Sequence, residues 1–181
     1  MTYIRQTIAA NSNLILRILQ PENAPRLFQL VDESRERLGR WLPWVEHTKS
    51  EADSLTFIQQ GLLDLEDDKA FHYGIWYDRQ LVGVIGAHAW RADEKFLEIG
   101  YWIGKDFEGM GIMTQACRNL ISEMFIGDKV RTIQMCCDPA NDRSSAIPKR
   151  LLFDCIERSR KSDEEAGGEI DVYQITSGTW K

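Results

Sequence analysis

Hydrophobic positions recur along the chain with two periods, near two in short runs and near 3.6 in longer ones, and each rhythm marks its own elements. Residues 14–19 (LILRIL) form a compact apolar run that predicts a strand. From about 22 to 38, Leu27, Leu30, Val31 and Leu38 lie on one stripe, which predicts a helix. Gly39 and Pro43, within GRWLPW, break that pattern. Ser50 and Asp53 stand at capping-box spacing ahead of Leu55, Ile58, Leu62 and Leu65, so a second helix begins near 50. The acidic run Glu66, Asp67, Asp68 closes it as a solvated end.

The middle of the chain changes period. Segments 70–77, 81–90 and 96–103 read as three strands whose short joints admit only antiparallel hairpins. An amphipathic helix follows over 110–125, its apolar residues paired four apart from Ile112 and Met113 to Met124 and Phe125. A strand at 132–138 and a helix at about 144–153 come next. Pro148 suits that helix only near its first turn, where a missing N–H costs little. From 154 onward the sequence predicts a charged loop and one more strand at 170–176. The order β, α, α, β, β, β, α, β, α, β describes a mixed α/β (α+β) layer fold. No repeat of solenoid length interrupts it, and 181 residues suit one domain spanning 1–181.

Composition narrows the function. With 43% hydrophobic residues, the chain can bury a core without disulfides or metal. Its 22 Lys and Arg against 28 Asp and Glu give a net charge of −6, which argues against a surface for coating nucleic acid. No segment approaches the roughly 18 apolar residues of a membrane span, and residues 1–19 lack the basic-then-apolar order of a secretory leader. Cys117, Cys136, Cys137 and Cys155 form no C-x-x-C pair. They read as reduced core thiols, with Cys136 and Cys137 on opposite strand faces, and this usage fits the cytoplasm. His47 and His72 have no ligand spacing to a cysteine or a second histidine, so no metal site is expected.

The segment 96–116, FLEIGYWIGKDFEGMGIMTQA, carries the chemistry. A strand runs into Gly109-Met110-Gly111 and straight into the amphipathic helix. Glycines permit a tight turn, and the unpartnered first-turn N–H groups of a helix can hold an anion such as a pyrophosphate. The chain lacks G-x-x-x-x-G-K-S/T and G-x-G-x-x-G, and its preceding strands are antiparallel, so nucleotide loops of those kinds fit poorly.

With its surroundings, this segment resembles the GNAT superfamily of acyl-CoA N-acyltransferases, and within it the Rim-type branch that acetylates ribosomal-protein N-termini. EGMGIM (108–113) occupies the superfamily's Q/R-x-x-G-x-G/A pattern, flanked by EIGYWIG (98–104) and GIMTQA (111–116). NDRSSAIPKRL (141–151) resembles the branch's N-x-R-S-x-A-I-P-E-R-L, and LPW (42–44) with Thr48 and Lys49 resembles its substrate-side segment. The likeness implies a GNAT fold, a mixed and mostly antiparallel sheet flanked by helices, with acetyl-CoA as cosubstrate.

It also implies roles. Backbone amides at Glu108, Gly109, Met110, Gly111, Ile112, Met113 and Thr114 would hold the pyrophosphate. Tyr101, Trp102 and Ile103 would pair with the pantetheine amides, filling a gap between their strand and the one at 132–138. Asn141 and Ser144 would lie along the pantetheine arm, Ser144 protonating the leaving thiolate, with Asp163 or Glu164 as a downstream base. Family habit adds a homodimer. Four positions depart from the pattern: Glu108 stands for the usual Gln or Arg, Met113 stands where most of the superfamily has Gly or Ala although the branch commonly has Met, and Leu152 and Arg158 stand where the branch usually has Gly.

Acetyl transfer needs a neutral amine, and an α-amine with a pKa of about 7.7–8.0 supplies far more of it near neutrality than lysine at about 10.4. The favoured reading is therefore acetyl-CoA-dependent acetylation of a protein or peptide N-terminus. A small-molecule amine acetyltransferase and a non-catalytic CoA-binding module are the alternatives. Glu98, on the strand face with Gly100 and Trp102, is either a proton relay or one half of a cross-strand charge pair. Ser144 is a helix N-cap, an acid, or both. His88 is a polar strand position with a minor claim to catalysis, and Trp41 and Trp44 either line an acceptor groove or pack in the core.

Overall fold

The computed structural model describes residues 4–126, 129–160 and 168–181. Eight strands form one sheet: β1 (Thr7–Ala9), β2 (Leu14–Ile18), β3 (Phe71–Tyr77), β4 (Gln80–Arg91), β5 (Phe96–Ile103), β6 (Thr132–Cys137), β7 (Asp154–Arg160) and β8 (Glu169–Thr176). Their spatial order is β1-β2-β3-β4-β5-β6-β8-β7. Every pairing is antiparallel except β5 with β6, whose parallel arrangement needs a crossover, and helix α4 (Ile112–Phe125) supplies it. The other α-helices among the described residues are α1 (Ala24–Glu33), α2 (Arg35–Leu38), α3 (Glu51–Glu66) and α5 (Asp142–Arg150).

Two apolar layers cover the sheet. On one side α4 buries Ile112, Met113, Ala116, Cys117, Leu120, Ile121 and Met124 against Leu16, Tyr73, Ile85, Leu97 and Ile133. On the other, Leu27 and Leu30 of α1 and Ile58 of α3 pack on Leu81 and Val84. Paired apolar positions four apart on α4 thus fill one continuous layer, as their periodicity requires.

Several elements differ from the sequence reading. The helix expected over 22–38 breaks at Ser34, whose φ of −110° and ψ of 4° are not helical. Its buried hydroxyl accepts a hydrogen bond from the Lys105 N–H at 3.0 Å, an alternative partner that ends α1. Of the charged loop expected from 154, residues 154–160 are strand β7, paired with β8 across a register shift between Cys155 and Glu157, and residues 161–167 lie outside the described residues. Strand β1 was not foreseen. Helix α5 begins two residues earlier than expected, and Pro148 lies in its last turn rather than its first. Cys117 and Cys137 are buried thiols and Cys136 is half-buried, but Cys155 is exposed and belongs to no core.

Candidate functional site

The sheet forks between β5 and β6. Their pairing covers only Phe96–Glu98 against Thr132–Gln134, while β5 continues along β4 as far as Ile103. Past Glu98, the β6-facing edge of β5 is therefore an unpaired row of backbone groups. The gap expected beside Tyr101, Trp102 and Ile103 is present.

At the end of β5 the chain turns through Gly109 and Gly111, with φ of 75° and 76°, a region that favours glycine. Gly111 is the N-cap of α4 and no side chain caps this helix, so the amides of Ile112, Met113 and Thr114 face outward unpartnered. A Cβ placed on either glycine would meet nothing within 4 Å, leaving a cradle open above the backbone. Met110 is exposed. Glu108 does more than lend an amide: its carboxylate forms ion pairs with Arg37 of α2 and Arg143 of α5.

Across the fork, Asn141 caps α5 and accepts the Ser144 N–H at 3.2 Å. Ser144 is thus not the cap, and its hydroxyl is directed to the Tyr101 hydroxyl at 3.4 Å and the Cys137 sulfur at 3.4 Å. The Tyr101 hydroxyl in turn donates to the Ser144 carbonyl at 3.1 Å. Pro148 makes that contact available. In an unbroken helix, residue 148 would donate its N–H to the Ser144 carbonyl, and proline has no N–H to give. Desolvation, then the neighbouring thiols, raise the Tyr101 pKa well above its ordinary value. Burial likewise raises Cys137 and pushes Cys136 up to about 12. Both sulfurs remain thiols near neutrality, which argues against a covalent acetyl-cysteine route.

The face of β5 turned toward α3 carries Glu98, Gly100 and Trp102, and the Trp102 ring meets Trp44 at 5.9 Å. Among the described residues Glu98 has no cross-strand cation; the polar groups in its field are His88 and Cys136. The charge-pair alternative for Glu98 is therefore set aside. Glu164 and Asp163 lie outside the described residues.

A groove of about 1620 Å³ joins these features. It runs from Gly109–Thr114 past Ser144 and Cys137 at the fork, along Glu98 and His88, to a rim at Trp41 and Trp44. Both rim rings are partly exposed, at 37% and 38%, and so line the groove rather than the core. The sequence did not single out the Tyr101 hydroxyl or Cys137 as polar partners of Ser144. The available signal was Pro148 four residues after Ser144, which leaves a carbonyl in need of a donor. No group of three metal-ligating side chains gathers among the described residues.

An open helix N-terminus, a forked sheet edge and a hydroxyl pair thus lie along one groove. Residues 13–154 match the acetyltransferase (GNAT) domain model, and the chain belongs to that family. It is a GNAT-family acetyltransferase. The chain is 36% identical over 159 residues to "Putative ribosomal N-acetyltransferase YdaF" of Bacillus subtilis (strain 168), covering 87% of this chain and 85% of that one. It is 26% identical over 171 residues to the ribosomal-protein-serine acetyltransferase of Escherichia coli (strain K12), covering 93% and 95%. Among solved structures, RimL, a ribosomal L7/L12 alpha-N-protein acetyltransferase in complex with coenzyme A, superposes with a TM-score of 0.90 at 24% identity, covering 94% and 97%.

Proposed function

We propose that the chain acts in the cytoplasm, as a single domain, to acetylate the N-terminal α-amine of a ribosomal or other protein. The size and course of the groove carry this reading. At about 1620 Å³ it exceeds the roughly 300–1,000 Å³ that holds one drug-sized ligand, and its far end opens at an aromatic rim. That leaves space for an extended peptide end beside the cosubstrate. The names of the relatives agree with it.

In this reading the amides of Gly109 through Thr114 bind the pyrophosphate, and the open edge of β5 at Tyr101–Ile103 pairs with the pantetheine. Asn141 holds the first turn of α5 so that Ser144 faces the thioester sulfur. Ser144 then protonates the thiolate, with Tyr101 fixing its hydroxyl. Trp44 and Trp102 flank the incoming peptide. Orienting amine and thioester together can supply much of the rate, because effective molarities for such alignment reach about 10⁵ M or more.

The test is thiol release from acetyl-CoA with N-terminal peptides, polyamines and aminoglycosides offered separately, the products checked by mass spectrometry. Turnover of peptides at their α-amine is expected. Turnover of small amines alone would overturn the acceptor assignment, and CoA binding without turnover on any amine would identify a binding module.

A further inference from the structure

The register of β4 against β5 slips at one point. Ala87 pairs with Ile99 and Ala89 with Glu98, which leaves His88 as the extra residue of a β-bulge. A bulge re-aims its side chain, and this one sends the imidazole across β5 into the groove. Gly100 makes room for it: a Cβ there would fall 1.9 Å from the His88 Nε2. The ring is exposed to the groove on one side and meets the His72 ring edge-on at 6.0 Å on the other.

We propose that His88 is the proton acceptor for the amine, taking the proton that the nitrogen loses as its bond to the acetyl carbon forms. The inference rests on amine acetylation in this groove. The nitrogen lone pair forms the N–C bond and the C–S pair leaves on sulfur. Once the N–C bond has formed, one proton of that nitrogen passes to the His88 Nε2, and the thiolate takes the Ser144 hydroxyl proton at the fork, which Ser144 regains from solvent. His88 then releases its proton to solvent in the groove, so amine and thioester become amide and thiol with nothing left over.

The surroundings suit a base. The charged or titratable groups that act on His88 are Glu98 of β5 and His72 of β3, and Glu98 in turn faces Cys136 of β6. From α3, Phe57 covers the His72 ring and the charge of Asp64 reaches His72. Enclosing protein lowers the His88 pKa, against the opposing pull of Glu98, so the imidazole is neutral and ready to accept near neutral pH.

The experiment compares wild type with His88→Asn and His88→Ala on whichever amine the wild type acetylates best, so that a wrong acceptor class shows as a wild-type preference and not as a failure of His88. The expected result is a fall in kcat of about a hundredfold, within the usual range for general-base catalysis, with CoA affinity by calorimetry within twofold. Added imidazole should restore part of kcat in His88→Ala. Gly100→Ala, which displaces the ring, should lower kcat in parallel. NMR of His88 should place its pKa below 6.5, and lower still in Glu98→Gln. A kcat within twofold of wild type in His88→Asn, or His88→Ala inert to imidazole, would overturn the proposal.

Discussion

Leu152 sits in the left-handed region with φ of 62°, and its side chain is 78% exposed, so it accepts backbone strain without gaining burial. A left-handed conformation costs a residue with a Cβ about 1–2 kcal/mol, while glycine gives back roughly 0.5–1 in unfolded-chain entropy. The difference sets the sign. Leu152→Gly should stabilise the fold by about 0.5–1 kcal/mol and raise Tm by roughly 1–4 °C, measured by calorimetry. A fall in Tm would mean that the exposed leucine makes a contact worth more than its strain. The same geometry explains why the GNAT branch that this chain resembles favours glycine at this position. Arg158, the other departure, lies directly opposite Asp171 and donates two hydrogen bonds to it, at 2.6 and 3.0 Å. A glycine there would break that cross-strand pair.

At the scale of elements, Glu108 ties together three pieces that meet at one end of the groove. Its loop precedes α4, and its carboxylate reaches Arg37 on α2 and Arg143 on α5. In the proposed reading a carboxylate close to the pyrophosphate is unfavourable, a repulsion of roughly 1 kcal/mol per charge at an effective dielectric between those of protein and water. Glu108→Gln keeps the loop and removes the charge, leaving both arginines to the anion. CoA affinity by calorimetry should rise about fivefold at low ionic strength, and the gain should shrink toward nothing by about 0.5 M salt, where the Debye length is only a few ångströms. Weaker binding would show instead that holding the arginines outweighs the repulsion. Legibility also divides at this scale. Strands β3, β4 and β5 and helix α4 were readable because their apolar residues keep one period over many positions. Strand β7 (DCIERSR) was not, because an edge strand that buries little carries no alternating pattern. The break at Ser34 and the partner of Ser144 were hidden for another reason. Each depends on a group distant in sequence, Lys105 in one case and Tyr101 in the other.

For the whole molecule, acid stability follows from groups held away from their ordinary pKa. Burial first, and then His88, hold His72 down at about 4 against an ordinary 6.5. The unfolded chain therefore binds a proton between those values that the folded chain refuses, and stability rises with pH across that interval. The contribution of His72 is complete above 6.5 and disappears as pH falls toward 4, about 3 kcal/mol at most. Asp171 acts in a lower window. Hydrogen bonding from Arg158 holds it below its ordinary 3.8, so its contribution is lost only below that value. A third effect opposes both. The net charge of −6 shrinks as pH approaches the isoelectric point near 5.1, which relieves self-repulsion. Salt at 0.15 M screens that repulsion between exposed charges but leaves the enclosed imidazole nearly untouched. Urea unfolding at this ionic strength should thus show stability falling from pH 6.5 to 4, and His72→Phe should remove part of that slope, with His88, also lowered by burial, keeping the rest and the drop below pH 4 staying in place. A slope unchanged by His72→Phe would assign the acid sensitivity to groups elsewhere in the fold.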